Sequence, residues 1–119
     1  MRVLMVSAEY APLAKTGGLG DMVASLSGAL AARGHEVKVV MPFYGDVDRT
    51  RFDIERVPGV PEVPLRPGAA LRRVALQRWL DPAGPEVILL ENDALFGRPG
   101  VYSYGATGDF PDMVPRLAL

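Results

Sequence analysis

The sequence predicts an α/β fold whose sheet is mostly parallel and carries a peripheral hairpin. An apolar run at residues 2–8 and a second strand-like segment at residues 36–41 flank a stretch of helical periodicity at residues 19–33. This strand–loop–helix–strand order predicts a right-handed crossover between two parallel strands. Later in the chain, a turn rich in Pro and Gly separates two strand-like segments, which predicts the hairpin.

The first strand and its loop are defined by composition. Residues 2–8 form a nearly continuous apolar run, typical of a strand that is buried on both faces. Residues 9–18 contain Pro12 and the pair Gly17-Gly18, so they predict a loop.

The helix at residues 19–33 is predicted from its spacing. Its expected core-facing side follows i, i+4, i+7, i+8 spacing, widened by one valine. These residues are Met22, Val23, Leu26, Ala29, Leu30 and Arg33. Gly34 follows where a left-handed residue is expected to end the helix. Residues 36–41 then form the second predicted strand, which ends at Pro42.

The middle of the chain is less regular. One helical turn is expected at residues 46–51, and four prolines between residues 58 and 67 predict a loop or an edge strand. Residues 70–80 fit either a helix or a strand. A strand is favoured because the turn at residues 81–85 leads directly into a strong strand at residues 86–90.

The last part of the chain predicts few regular elements. Residues 93–96 are expected to form one turn of helix, and residues 97–108 a loop rich in Gly and Tyr. Asp112 is expected to cap a final helix, which reaches Leu119 within an apolar run. We therefore expect the sequence to be part of a longer product.

Composition excludes several classes of function. A chain of 119 residues suits one domain, and a formal net charge of -1 does not mark a nucleic-acid binder. The absence of cysteine excludes disulfides and thiolate metal sites. The first apolar stretch, residues 3–6, is too short for a signal-peptide core or a membrane span. We expect a cytoplasmic protein without a membrane partner.

One motif between the first strand and the first helix indicates chemistry. It is Lys15-Thr16-Gly17-Gly18-Leu19-Gly20-Asp21. A helix N-terminus offers unpaired N–H groups to an anion, and glycines let the backbone approach it closely. A lysine beside them adds a point charge. The motif therefore predicts a ligand that carries phosphate.

Two common phosphate motifs do not fit this stretch. A Walker A loop needs a glycine before its lysine, but Ala14 precedes Lys15. A dinucleotide fingerprint starting at Gly18 and Gly20 would need a third glycine where Val23 stands.

The chain resembles bacterial glycogen synthases and plant starch synthases. The resemblance begins with the lysine motif after Ser7-Ala8-Glu9-Tyr10-Ala11-Pro12. It continues through Gly34-His35-Glu36-Val37, Phe96-Gly97-Arg98-Pro99-Gly100-Val101-Tyr102 and Gly108-Asp109-Phe110-Pro111-Asp112. Met113, Pro115 and Leu117 depart from the family pattern. An additional residue near Ser103 leaves open whether Tyr102 or Tyr104 matches the active-site tyrosine of the family.

The resemblance implies a fold and an activity. The chain would be the incomplete, Rossmann-like N-terminal domain of a two-domain, B-type glycosyltransferase, and its C-terminal donor-binding domain would be absent. The enzyme would transfer glucose from ADP-glucose, with retention, to the non-reducing end of an α-1,4-glucan. It implies no cofactor and no metal, and it places the principal catalytic groups beyond Leu119. Two alternatives stay open: a free-standing nucleotide-binding module, and a related transferase that uses UDP-glucose.

The resemblance also implies substrate-binding residues. These are Lys15, Gly17, Gly18, Asp21, Tyr102 and Tyr104. Asp21 fits equally well as a first-turn charge that interacts with the helix dipole. His35, the single histidine, is expected to be a capping or surface residue.

Overall fold

The computed structural model describes residues 1–65, 72–92 and 96. In this part of the chain one helix packs against a mixed sheet. The elements, in chain order, are β1 Arg2–Val6, α1 Gly18–Ala32, β2 Glu36–Pro42, β3 Glu55–Arg56, β4 Val63–Leu65, β5 Arg72–Leu80 and β6 Glu86–Glu91.

The sheet has a parallel half and an antiparallel half. Its strand order is β1-β2-β6-β5-β3, and β4 also pairs with β5. The parallel pairs are β1 with β2 and β2 with β6. The antiparallel pairs are β5 with β6, β3 with β5 and β4 with β5. The predicted parallel pairing of β1 and β2 and the β5–β6 hairpin are confirmed, and β3 and β4 extend the antiparallel half beyond a simple hairpin.

The core lies between α1 and one face of the parallel strands. Alternate residues of β2 and β6 are buried on this face, and Val39 pairs with Val87 at its centre. Complete burial of a valine side chain contributes about 1.5 kcal/mol or more to folding. Burial on this face therefore fixes the register of the parallel strands, and with it the position of the loop that follows β1.

Two predictions about burial are wrong. Side chains of β1 alternate between half-buried and exposed, with Leu4 65% and Val6 79% exposed. In the described part of the chain, β1 is the end strand, and α1 covers the other face of the sheet. The predicted apolar side of α1 is also largely exposed, since Met22 is 51% and Leu26 45% exposed. Of the predicted side only Val23 is buried, together with Gly20 and Ser27, and Leu30 is half-buried against the core.

The helical turn expected at residues 46–51 is absent, and hydrogen-bonded turns replace it. The Asp48 carboxylate accepts the Thr50 hydroxyl at 2.6 Å and the N–H groups of Thr50 and Arg51 at 2.9 and 3.3 Å. These bonds, the Thr50 hydroxyl first, lower the pKa of the Asp48 carboxyl below its ordinary value. A side chain that accepts nearby backbone N–H groups competes with helix formation, which explains the difference.

The other local predictions agree with the structure where it describes them. Gly34 has a φ of +89°, as expected for the residue that ends α1. Pro64 lies in the short strand β4, and residues 72–80 form a strand rather than a helix. Of the turn expected at residues 93–96, residues 93–95 lie outside the described residues. The loop at 97–108 and the final helix also lie outside them.

Candidate functional site

The chain turns sharply where it leaves β1. The Ser7 N–H donates to the Val40 carbonyl at 3.0 Å, which continues the pairing with β2 for one residue. The Ser7 hydroxyl then accepts the Glu9 N–H at 3.1 Å and donates to the Glu9 carbonyl at 2.7 Å. Serine makes such local turns readily. The following loop therefore starts from a fixed direction at the carboxyl end of β1.

Two buried tyrosines connect the loop between β1 and α1 to the rest of the protein. The backbones of Tyr10 and Ala14 exchange two hydrogen bonds of 2.9 Å. The fully buried Tyr10 hydroxyl donates to the Asp81 carboxylate at 2.6 Å, in the turn between β5 and β6. The Tyr44 hydroxyl, just after β2, donates to the Ala8 carbonyl at 2.7 Å. The loop is thus tied to two other parts of the sheet.

The Tyr10–Asp81 contact has an electrostatic consequence. Burial, and next the hydrogen bond to Asp81, raise the pKa of the Tyr10 phenol well above its ordinary value. Tyr10 therefore stays neutral at physiological pH and acts as a hydrogen-bond donor.

A buried carboxylate organises the lysine motif. Glu9 is 3% exposed, and its Oε1 accepts the Thr16 N–H at 2.7 Å and the Gly17 N–H at 3.4 Å. Two backbone N–H groups of the motif therefore point into the protein rather than toward solvent.

The start of α1 is open. Gly17 is the N-cap residue, and no side chain caps the helix in the described part of the chain. A Cβ atom added to Gly17 or Gly18 would meet nothing within 4 Å. The first N–H groups of a helix have no acceptor within the helix and carry the positive end of its dipole. This end of α1 is accessible and is suited to an anion.

Lys15 lies at the same end of α1, paired with Asp21. Its Nζ is 2.7 Å from the Asp21 Oδ2, and the two side chains are 48% and 57% exposed. Ion pairs this exposed contribute about 0 to 1 kcal/mol. A dianionic phosphate group is a stronger partner for the lysine. The ion pair therefore keeps Lys15 beside the start of α1 but is weak enough for a phosphate group to replace Asp21.

The structure brings together four of the six predicted binding residues. Lys15, Gly17, Gly18 and Asp21 lie within one loop and one turn of α1, beyond the carboxyl end of β1. In open α/β sheets this is the edge where ligands bind. Tyr102 and Tyr104 lie outside the described residues.

Sequence reasoning missed three supporting side chains. Glu9 was identified only as part of the motif that carries the resemblance, although a carboxylate directly after a strand is a signal for a role at the strand's carboxyl end. Tyr10 and Tyr44 gave no signal, because their partners are distant in sequence. His35 is half-buried, and its Nδ1 has no hydrogen-bond partner in the described part of the chain.

Neither a metal site nor a membrane helix is found in the part of the chain that the structure describes. No group of three or more metal-ligating side chains is present among residues 1–65, 72–92 and 96. No helix within these ranges is long and apolar enough to cross a membrane.

Comparisons with known proteins point to one family. Residues 2–119 match the model of the starch synthase catalytic domain. A glycogen synthase of Moorella thermoacetica is 40% identical over 107 residues, covering 88% of this chain and 20% of the relative. Glycogen synthase 2 of Geobacter metallireducens is 41% identical over 119 residues, covering 100% of this chain and 24% of the relative. The chain thus spans about a quarter or less of these relatives.

A solved structure is also similar. It is the catalytic domain of starch synthase IV from Arabidopsis thaliana bound to ADP and acarbose. The TM-score is 0.65 at 30% identity, and the match covers 74% of this chain and 17% of that one.

Proposed function

The chain belongs to the starch synthase catalytic domain family, and we propose that it forms the first part of a longer glucosyltransferase. The proposed reaction moves glucose from ADP-glucose to the non-reducing end of an α-1,4-glucan, with retention, in the cytoplasm. In this proposal the 119 residues are the start of an N-terminal domain, and a donor-binding domain follows in the longer protein. We expect the 119 residues alone to be inactive.

One observation carries the proposal. Lys15 lies beside the open, glycine-rich start of α1, at the carboxyl edge of the parallel strands. This arrangement offers a positive charge and unpaired N–H groups to the same anion. The glycogen synthase relatives and the starch synthase structure bound to ADP support a sugar nucleotide as that anion.

In the proposed mechanism the site stabilises charge. Cleavage of the glycosidic bond to ADP leaves negative charge on the diphosphate and positive character on the glucose. Preorganised donors aimed at the leaving group lower the barrier, because they need no reorganisation during the reaction. Lys15 leaves Asp21 and pairs with the diphosphate, and the first N–H groups of α1 donate to it. Asp21 is then released from its ion pair with the lysine.

Substitution of the lysine tests the proposal. We expect Lys15→Gln, in the full-length transferase, to lower kcat/KM for ADP-glucose about 100-fold, because a charge that contacts the leaving group is lost. Unfolding should not change by more than about 0.5 kcal/mol, since the ion pair is exposed. The measurement is the transfer of labelled glucose to glycogen, with thermal unfolding followed in parallel.

Lys38→Gln is a matched control. Lys38 is 47% exposed and also ion-paired, to Glu86 at 3.8 Å, but it lies in β2 away from the loop. Its kcat/KM should stay near the wild-type value. If Lys15→Gln behaved like Lys38→Gln, the proposed role of Lys15 would be wrong.

The choice of donor needs a separate assay. We expect the full-length protein to turn over ADP-glucose faster than UDP-glucose. Equal or faster turnover of UDP-glucose would contradict the proposed donor while leaving the transferase assignment in place. A stop codon directly after Leu119, with no related sequence beyond it, would instead favour a free-standing module.

A further inference from the structure

We propose that Glu9 is a positioning residue for the sugar-nucleotide site. It does not touch the donor. Its buried carboxylate fixes the lysine motif so that the N–H groups of Gly18 and Leu19, rather than those of Thr16 and Gly17, meet the diphosphate. The inference rests on the proposed function and assigns its binding groups.

The geometry around Glu9 makes it a rigid anchor. The side chain is almost fully buried, and both of its backbone polar groups bond to the Ser7 hydroxyl. The next residue, Tyr10, is buried and tied to Ala14. The carboxylate is therefore fixed before the chain reaches the motif.

The hydrogen bonds that the Glu9 carboxylate accepts determine which backbone N–H groups remain available to a ligand. Hydrogen bonds to a carboxylate are stronger than those between neutral groups, so the 2.7 Å bond from Thr16 firmly fixes the direction of that peptide. The Gly17 N–H points to the same oxygen at 3.4 Å. An anion must therefore use the next N–H groups along the chain, which are the first ones of α1.

The same anchor places Lys15. Thr16 follows Lys15 directly, so fixing its N–H restricts the backbone that carries the lysine. In addition, a Cβ atom added to Gly20 would lie 2.8 Å from the Lys15 Cβ and 3.4 Å from the Glu9 Cβ. The first turn of α1 thus packs directly on the lysine and the glutamate. The lysine backbone is restricted by this turn and by the bond from Thr16 to Glu9, and its outer side chain can exchange Asp21 for a phosphate.

Hydrogen exchange of single amides tests the assignment without any substitution. The probe is ADP, added to the full-length transferase, with exchange resolved by residue-level fragmentation and mass spectrometry. Without ADP, we expect the Thr16 N–H to exchange at least about tenfold more slowly than in an unstructured chain. ADP should leave the exchange of Thr16 and Gly17 unchanged and slow that of Gly18 and Leu19.

The outcomes separate this inference from the proposed function. If ADP newly protected Thr16 and Gly17, the inference alone would be overturned, because those groups would be bonding the ligand. If ADP protected none of the four residues and Lys15→Gln bound ADP like the wild type, the proposed function would fail and the inference with it.

Variants of Glu9 give a kinetic test. We expect Glu9→Ala to raise the KM for ADP-glucose about tenfold, because a displaced loop misplaces its binding groups. Glu9→Gln keeps an oxygen that accepts the Thr16 N–H, so its KM should stay within about threefold of the wild-type value. Glu36→Gln is the control, since that carboxylate is exposed and pairs with Arg2 at the amino ends of β1 and β2.

Rescue by glutamine is the decisive feature. If Glu9→Ala and Glu9→Gln raised KM equally, or if Glu9→Ala left KM within about twofold, the positioning role would be wrong. Should Glu9→Ala fail to fold, the exchange experiment on the wild type still decides the question.

Discussion

The two sides of α1 differ in a way that the sequence alone conceals. On one side, Gly20, Val23 and Ser27 are buried against the sheet. On the other side, the larger residues Leu19, Met22 and Leu26 remain 40–51% exposed. The side with mostly small residues packs closely, Leu30 is half-buried against the core, and these three larger residues stay at the surface. Helical spacing of apolar residues therefore identified the helix, but of the residues that it placed toward the core only Val23 is buried and Leu30 half-buried.

The turn between β5 and β6 explains the choice of side. A Cβ atom added to Gly84 would lie only 2.7 Å from the Ala31 Cβ, and one added to Gly28 would lie 3.6 Å from the Ala83 Cβ. The helix thus packs almost backbone to backbone against this turn. Only small residues permit such an approach, and a dense interior leaves no room for leucine or methionine there.

The largest predicted effect is at Gly84. We expect Gly84→Ala to reduce the free energy of unfolding by about 3 kcal/mol. Its φ of +117° is strained for any residue with a Cβ atom, and the new methyl group would overlap Ala31. The measurement is urea unfolding, followed by the fluorescence of Trp79, the single tryptophan.

Gly59→Ala is the matched control for Gly84→Ala. Gly59 also has a positive φ, +71°, but an added Cβ atom would meet nothing within 4 Å. Gly59→Ala should therefore reduce the free energy of unfolding only through backbone strain, by about 1 to 2 kcal/mol. Equal losses at the two glycines would mean that the turn does not pack tightly on α1, and the comparison of the two sides would lose its explanation.

Local patterns predicted most of the fold. Strands β1 and β2, the helix, the glycine that ends it and the β5–β6 hairpin follow from apolar residues, spacing and turn residues. What they could not give is burial, because burial depends on which elements are neighbours. Leu4 is exposed although it stands in a continuous apolar run, whereas Val37 and Val39 of β2 are buried although the charged Glu36 and Lys38 alternate with them.

The candidate site was predicted in a similar, partial way. The chemistry of Lys15 and the glycines is visible in sequence, because a lysine and glycines at a strand-to-helix junction suit a phosphate. The direction of each N–H group is not visible, since it depends on the buried carboxylate of Glu9. The ion pair between Lys15 in the loop and Asp21 in α1, six residues apart, also became clear only from the structure.

A smaller effect sharpens the comparison at the centre of α1. Val23 is 3% exposed and its neighbour Met22 is 51% exposed. We expect Val23→Ala to reduce the free energy of unfolding by about 2 kcal/mol, through lost burial and the cavity left behind. Met22→Ala should change it by no more than about 0.5 kcal/mol, since this side chain is on the surface. Urea unfolding of both variants is the measurement. If Met22→Ala reduced the free energy of unfolding as much as Val23→Ala, the assignment of the buried side would be contradicted.

The smallest effect concerns the contact that ties the loop before α1 to the same turn. Tyr10→Phe removes the hydrogen bond to Asp81 and should cost about 1 to 2 kcal/mol at pH 7. The effect depends on pH, because burial and Asp81 raise the pKa of this phenol. A group whose pKa is raised by folding contributes its full stability below its unfolded pKa, here about 10, and loses it as pH rises toward the folded value.

Stability measurements at alkaline pH therefore separate the effect of burying the Tyr10 phenol from that of its hydrogen bond to Asp81. The wild type should lose stability above about pH 10 by up to roughly 1.4 kcal/mol per pH unit relative to Tyr10→Phe, so that the two proteins converge near pH 11. The Asp81→Asn variant should still lose most of this stability at alkaline pH, since burial is the larger cause of the raised pKa of Tyr10. Urea unfolding at pH 8 to 11 is the measurement. If the wild type and Tyr10→Phe differed by the same amount at every pH, the phenol would be exposed to solvent, and the loop would not be held against the turn on which α1 packs.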